Sequence, residues 1–414
     1  MKPTGHTDFY FLYLHLKIEK MGGAFNLSRI KKILNSGSSG SILLLLAVIS
    51  SLLIANSPLD QGFKEILATK LGYESGQLHL NYSILLWIND GLMAIFFLFV
   101  GLELKRELVE GELSSVKQAI LPVFAASGGA LLPALIYLFF NSGTETANGW
   151  GIPMATDIAF TLAMLNVLGK KVPVSLKVFV TALAIVDDLM AIIVIAVFYS
   201  SGLEFSYLGI AGGIYVLMLI LNKAGLRNIW FYLIPAIFLW YFIHHSGIHA
   251  TIAGVLTAMA IPVKKINNKS PLETIEHAIA KPVSLIIIPL FALVNTNIRF
   301  TEEMVSGINS PLGLGIIAGL LVGKPIGILF FTWLSVKLKL CPKPSGAGYS
   351  QIFGVGILAG IGFTMSIFIA ILSFDIPLLQ DEAKFAILVG SLASAIIGYT
   401  LLRFLSKKNQ PVSI

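Results

Sequence analysis

The chain has 414 residues, of which 56% are hydrophobic and 12% charged, with a mean hydropathy of +0.84 and a formal net charge of +7. Soluble domains carry about 25% charged residues, so this composition excludes a soluble globular enzyme and indicates a chain that crosses a membrane many times. One cysteine, Cys341, excludes an internal disulfide framework and a multi-cysteine metal site.

Residues 1–37 read as a basic polar leader. Its apolar run, Phe9 to Leu14, is too short to span, and no small-residue cleavage pattern follows, so no secretory signal is expected. Met21 is an alternative start. A membrane domain at 38–406 and a short tail at 407–414 complete the division. Twelve apolar segments are expected as helices, at about 40–56, 83–103, 118–140, 149–168, 174–200, 206–222, 228–244, 247–263, 280–298, 312–336, 350–373 and 382–404. With twelve spans, 24 of the 29 Lys and Arg fall on the side of the two termini. Lys64, Lys70, Arg299 and Lys384 fall on the other, and Lys324 lies within a span. That asymmetry predicts both termini in the cytoplasm. It also accounts for the basic charge without a nucleic-acid partner.

Between the first two spans, Gly72 to Gly76 sit between Leu71 and the run Leu78, Leu80 and Tyr82. This stretch reads either as a small β-hairpin on the outer surface or as an irregular loop. In the fourth span Asp157 follows Gly149, Gly151 and Pro153, where a break in the helix is expected. Broken helices at membrane depth are tolerated where they line a cavity. Asp157 either offsets the positive end of a free helix N-terminus there or caps a helix near the interface. The fifth span carries adjacent Asp187 and Asp188 near its middle. One carboxylate at that depth costs roughly 2.5–3.5 kcal/mol on insertion scales, and such residues mark ion or proton paths. Lys324, midway through the tenth span, cannot easily reach the interface and either needs a partner, for which Asp157, Asp187 and Asp188 are the options, or must lose its proton. Adjacent helical residues diverge by about 100°, so one of Asp187 and Asp188 is expected to face the lysine and the other a cavity. The eleventh span holds Gly354, Gly356, Gly360 and Gly362, which permit either close packing or an unwound segment. Interrupted segments seven spans apart predict an inverted repeat of spans three to five and ten to twelve, with spans four and eleven broken and crossing.

Ala-Thr156-Asp157-Ile-Ala-Phe, Ala-Leu-Ala-Ile-Val-Asp187-Asp188-Leu, Gly-Lys324-Pro-Ile-Gly-Ile and Gly-Ile-Gly362-Phe-Thr364-Met-Ser-Ile-Phe-Ile closely resemble motifs of the NhaA family of bacterial sodium/proton antiporters. Trp87-Ile-Asn-Asp90-Gly-Leu-Met-Ala, Val-Gly-Leu-Glu103-Leu-Lys-Arg106-Glu107-Leu and Ser-Gly-Ile-His249-Ala-Thr match as well, and the likeness runs from about Ser38 to Arg403. The resemblance implies the twelve-helix NhaA fold over 38–406 and a multi-pass protein of the bacterial inner membrane. It further implies electrogenic exchange of Na⁺ or Li⁺ for two protons, in the service of sodium and pH homeostasis. Asp188 is then the main cation ligand, with Asp187 beside it paired to Lys324, and Asp157 and Thr156 accessory at a helix crossing marked by Pro153, Gly360, Gly362 and Thr364. Activation at alkaline pH is implied through Glu103, Arg106, Glu107, Glu276 and His277, with His249 linked to the response; on physical grounds His249 is equally a packed side chain. A homodimer joined through the hairpin is implied, with membrane lipid, Na⁺, Li⁺ and H⁺ as partners and no cofactor. The chain departs from the pattern at Pro271-Leu-Glu273-Thr274-Ile, where familiar members are basic, and at Asn267 and Ala280, which replace histidines; these touch the pH set-point.

Three other readings compete. Intramembrane aspartyl proteases place their two aspartates on separate helices, and an adjacent pair does not readily clasp a peptide bond. A retinal protein would use a membrane lysine, but twelve spans and Pro325 beside Lys324 argue against it. Sodium-coupled symport of an organic solute shares the fold and is the nearest alternative.

Overall fold

The computed structural model describes residues 39–76, 78–200, 202–265 and 270–408. The expected leader, Met21, Asn267 and all but the first two residues of the tail lie outside them. Eight helices among the described residues are long and apolar enough to cross a membrane, or ten if each of two bent pairs is one span. These eight are Ile84–Val109, Val116–Asn141, Ala147–Leu168, Val174–Phe198, Phe205–Lys223, Pro271–Asn295, Pro311–Lys337 and Pro377–Leu405. Ser39–Ala55 turns through 111° into Asp60–Ala68, and Tyr349–Ala359 bends by 50° into Phe363–Ser373. With Trp230–His244 and Ile252–Ala260, a helical element stands at each of the twelve expected positions. The fold is all-α, polytopic and of NhaA type.

Several boundaries differ from expectation for identifiable reasons. Span eight shrinks from 247–263 to Ile252–Ala260, about 14 Å of rise. Gly247 takes a left-handed conformation before it, and Ile261 is forced extended by Pro262 after it. Span nine begins at Pro271, because Ser270 and Glu273 form a reciprocal capping box and Pro271 suits the first helical position. Its opening turns are too polar to register as a membrane span. Regular helix was expected at Trp87–Leu92, Val283–Ile287 and Gly319–Gly323, and each is instead a π-helical turn. The third leads directly into Lys324-Pro325. Proline there would clash with the carbonyl four residues earlier in a regular helix, and a wider turn relieves the clash.

Span five is the central element, with 67% of its apolar window buried, whereas span six at 11% lies on the perimeter. Spans three and ten cross so closely that a Cβ on Gly327 would stand 2.0 Å from the Gly128 carbonyl oxygen. Spans ten and eleven meet through Gly356 and Gly360, where added Cβ atoms would come 3.0 Å from Pro325 Cα and 2.4 Å from the Leu320 carbonyl. The glycines of span eleven therefore serve both options left open above: Gly356 and Gly360 pack, and the helix breaks between Gly360 and Gly362.

The expected hairpin is present as a short ribbon. Strand β1 (Lys70–Leu71) pairs antiparallel with β4 (Tyr82–Ser83), and β2 (Glu74–Ser75) with β3 (Leu78–His79). Trp87 Nε1 donates to the Leu71 carbonyl at 2.8 Å, anchoring the ribbon to span two.

Gly327→Val would drive side-chain atoms into the backbone of span three. Overpacking costs about 1–3 kcal/mol, so the detergent-solubilised variant is expected to melt several degrees lower. An unchanged melting curve would contradict this helix crossing.

Candidate functional site

Two breaks in the helical backbone build the site. In span four, the 3₁₀ segment Ala147–Met154 gives way to extended backbone at Ala155 and Asp157, and helix resumes at Ile158. In span eleven the helix stops at Ala359 and resumes at Phe363. Each break leaves backbone groups without a helical partner, and the two breaks satisfy one another. Asp157 N–H donates to the Ile361 carbonyl at 2.6 Å. Thr161 Oγ1 donates to the Leu358 carbonyl at 3.1 Å, and Ser366 Oγ to the Ile152 carbonyl at 2.7 Å. Buried backbone polar groups must be satisfied inside the protein when water is excluded, and this mutual pairing is how the crossing persists.

Thr156, Asp157, Asp187, Asp188 and Lys324 are all buried. Lys324 Nζ lies 2.9 Å from Asp187 Oδ2, with both side chains fully covered. The same ammonium donates to the Met154 carbonyl at the end of the 3₁₀ segment. Thr156 Oγ1 lies 2.7 Å from Asp187 Oδ2 and 3.0 Å from the Ala359 carbonyl, linking the ion pair to both broken spans. Asp187 is thus the acid that faces the lysine. The Oδ1 atoms of Asp187 and Asp188 are buried without a hydrogen-bond partner.

Asp157 differs from both. Its Oδ1 accepts from Phe160 N–H at 3.1 Å, and its Oδ2 accepts from Thr364 N–H at 3.1 Å and from Thr364 Oγ1. It caps the second half of span four, as one reading of the sequence held, but at the buried crossing and not at an interface. Among the described residues no group of three or more acids, histidines or cysteines is gathered as a ready-made metal site. Pro153 packs in the 3₁₀ segment beneath Gly319, whose added Cβ would stand 2.6 Å from it.

The pH-response candidates divide. Arg106 Nε lies 3.2 Å from Glu276 Oε1, and its terminal nitrogen 3.3 Å from Glu107 Oε1. Glu103 lies one turn earlier on the same helix, and His277 is exposed beside Glu276. His249 is elsewhere, with Nδ1 3.4 Å from Thr251 Oγ1 and its ring 5.1 Å from that of Phe368. Two features near the Arg106 cluster escaped the sequence reading. Lys105 donates to the Met259 carbonyl at 2.6 Å and to that of Ile261, capping the short eighth helix. Lys265 bridges Glu110 and Glu273 at 2.9 Å each, and those two carboxylates hold its pKa above the usual lysine value. Being raised, that pKa keeps the lysine charged through neutrality, and its contribution is lost as pH rises through it. Lys265 thereby supplies the charge partner of Glu273.

Residues 31–402 match the family model described as Na+/H+ antiporter 1. The chain is 56% identical over 391 residues to Na(+)/H(+) antiporter NhaA 2 of Flavobacterium johnsoniae, covering 94% of this chain and 96% of that one. It is 46% identical over 385 residues to Na(+)/H(+) antiporter NhaA of Bordetella parapertussis, covering 91% and 97%. For the protein of the same name from Escherichia coli O1:K1 the identity is 47% over 381 residues, covering 91% and 98%.

Thr364→Val removes one of the donors to buried Asp157. Leaving a buried polar group short of a hydrogen bond costs about 1–3 kcal/mol, so a lowered melting temperature is expected, restored by Thr364→Ser. Equal melting of the valine and serine variants would count against this contact.

Proposed function

Because the chain belongs to the Na+/H+ antiporter 1 family, we propose that it exchanges Na⁺ or Li⁺ for protons across the bacterial inner membrane. It is a secondary transporter that breaks no covalent bond in its substrates. Each cycle expels one Na⁺ and admits two protons, and the exchanger is activated by alkaline pH. Both termini lie in the cytoplasm, and two copies join through the β-ribbon in a lipid bilayer.

The observation that carries this reading is one lysine serving two adjacent acids. Lys324 is spent on Asp187, and Asp188 retains a buried, unpartnered oxygen. An isolated carboxylate is unstable in dry surroundings and must be neutralised. A proton does so, and so does a hard cation that prefers oxygen ligands. Both cannot occupy Asp188 together, so sodium and protons compete. Coupled acids release their protons in two steps that belong to the pair, which accommodates two protons per ion. If only occupied forms change the side to which the site opens, competition becomes exchange. No feature favours solute symport.

Asp188→Asn cannot exchange a proton for a cation. In everted vesicles it is expected to abolish the Na⁺-induced collapse of a pH gradient; full activity would refute the assignment. Glu276→Gln mimics the protonated acid beside Arg106. It is expected to move the onset of exchange to higher pH by about one unit, equivalent to about 1.4 kcal/mol of lost pairing. An unchanged pH profile would remove Glu276 from the regulatory set.

A further inference from the structure

At the ribbon end of the bundle a second set of titratable side chains gathers, and the exchange site just described does not use it. Asp90 lies in the π-helical turn Trp87–Leu92, and His244 ends the helix Trp230–His244. His244 Nδ1 is 3.1 Å from Asp90 Oδ2, with the side chains 16% and 14% exposed. They are open enough to trade protons with water and covered enough to keep their geometry. The imidazole stacks on Trp240 with centroids 5.6 Å apart and meets Tyr82 edge-on at 4.9 Å. Trp240 in turn stacks on Trp87 and donates from Nε1 to the Asp90 carbonyl at 3.3 Å.

The other titratable groups around the pair are His245, Tyr82, Tyr241, His79, Glu74 and His249. His245 Nδ1 is 2.9 Å from the Tyr241 carbonyl, and its Nε2 is 3.2 Å from Tyr82 Oη. His79 pairs with Glu74 at 3.5 Å. His249 Nδ1 is 3.4 Å from Thr251 Oγ1, and its ring is 5.1 Å from that of Phe368. Thr251 then borders a closed seam with Phe97, Ile192, Ile195, Ile252 and Val255 that has no room for water. Ile192 stands one helical turn from Asp188 on the same face. Thr251, in contact with His249, and Ile192, one turn from Asp188, thus line the same closed, mostly apolar seal.

We propose that the Asp90–His244 pair is the station at which external protons are loaded. His244 takes a proton from water as imidazolium beside the Asp90 carboxylate. It hands that proton inward by way of His249 when the seal opens, and returns to neutral imidazole. Only N–H bonds form and break, and the proton is the one the exchange consumes. Imidazole suits the task because its ordinary range lies between about pH 5 and 8. The assignment rests on the exchange reading and on its proposed orientation, in which the ribbon faces outward.

The test uses right-side-out vesicles of cells making the full chain, loaded with Na⁺ at constant internal pH, with external pH varied over about 5 to 8. Wild-type Na⁺ efflux is expected to rise as external pH falls. His244→Gln is expected to lose most of that rise while keeping the internal KM for Na⁺. His244→Arg keeps a cation beside Asp90 but cannot release a proton, so it is expected to be equally flat. A wild-type profile in the arginine variant would reduce the pair to a structural clasp and overturn the proposal, as would a wild-type profile in the glutamine variant. If the glutamine variant is not monodisperse after purification, Asp90→Asn decides, with a flat profile expected and a wild-type profile fatal. Absence of any Na⁺ efflux from the wild type would instead defeat the exchange reading itself.

Discussion

A fully buried ammonium and a fully buried carboxylate, Lys324 and Asp187, sit 2.9 Å apart at the centre of the molecule. Taking either charge out of water costs several kcal/mol, and the mutual attraction repays that only when the remaining hydrogen-bonding capacity is also used. The fold supplies the extra partners from its irregular backbone. The Met154 carbonyl accepts a hydrogen bond from Lys324, and Thr156 connects Asp187 to the Ala359 carbonyl. Regular helices could not provide them, because their carbonyls are already engaged four residues along. Breaks in spans four and eleven thus free the groups that make the buried pair tolerable, and the pair in turn gives the breaks a reason to meet.

The same dependence orders the surrounding helices. Lys324 must project from span ten at a fixed depth and angle, and the π-helical turn Gly319–Gly323 together with Pro325 sets where it points. Span ten is held against span three by backbone contact at Gly128 and Gly327, too close for any side chain. Span five then brings its two aspartates to this assembly from the most buried position in the bundle. Packing density transmits such constraints, since interiors this tight do not deform gradually.

Much of this was legible in the sequence because charge inside a membrane is expensive. Asp157, Asp187, Asp188 and Lys324 stood out against apolar surroundings, and the assignment of one acid to the lysine followed from the helical angle between neighbours. What was not legible was local backbone. The three π-helical turns leave no periodic signature, since an extra residue in one turn scarcely alters an all-apolar pattern. Span nine starts early at Pro271 because its first turns are amphipathic, and a criterion based on apolarity overlooks them. Lys105 and Lys265 looked like topology signals, and their roles depend on carbonyls and acids brought close only by folding. The Asp90–His244 pair escaped notice because its members lie more than 150 positions apart and neither is deep enough to be conspicuous alone.

Three aspartates share this region, and their hydrogen bonds separate them more sharply than their positions do. Asp157 has both oxygens engaged, by Phe160 and by Thr364. Asp187 has one oxygen engaged, by Lys324 and Thr156, and the other empty. Asp188 has no cation of its own. Fixed donors stabilise Asp157, and Lys324 neutralises Asp187, whereas Asp188 has neither among the described residues. The proposed occupants, the proton and a hard alkali cation, are both small and positive. With the one lysine placed against Asp187, neighbouring Asp188 is left without a charge partner among the described residues, and the proposed exchange rests on that asymmetry.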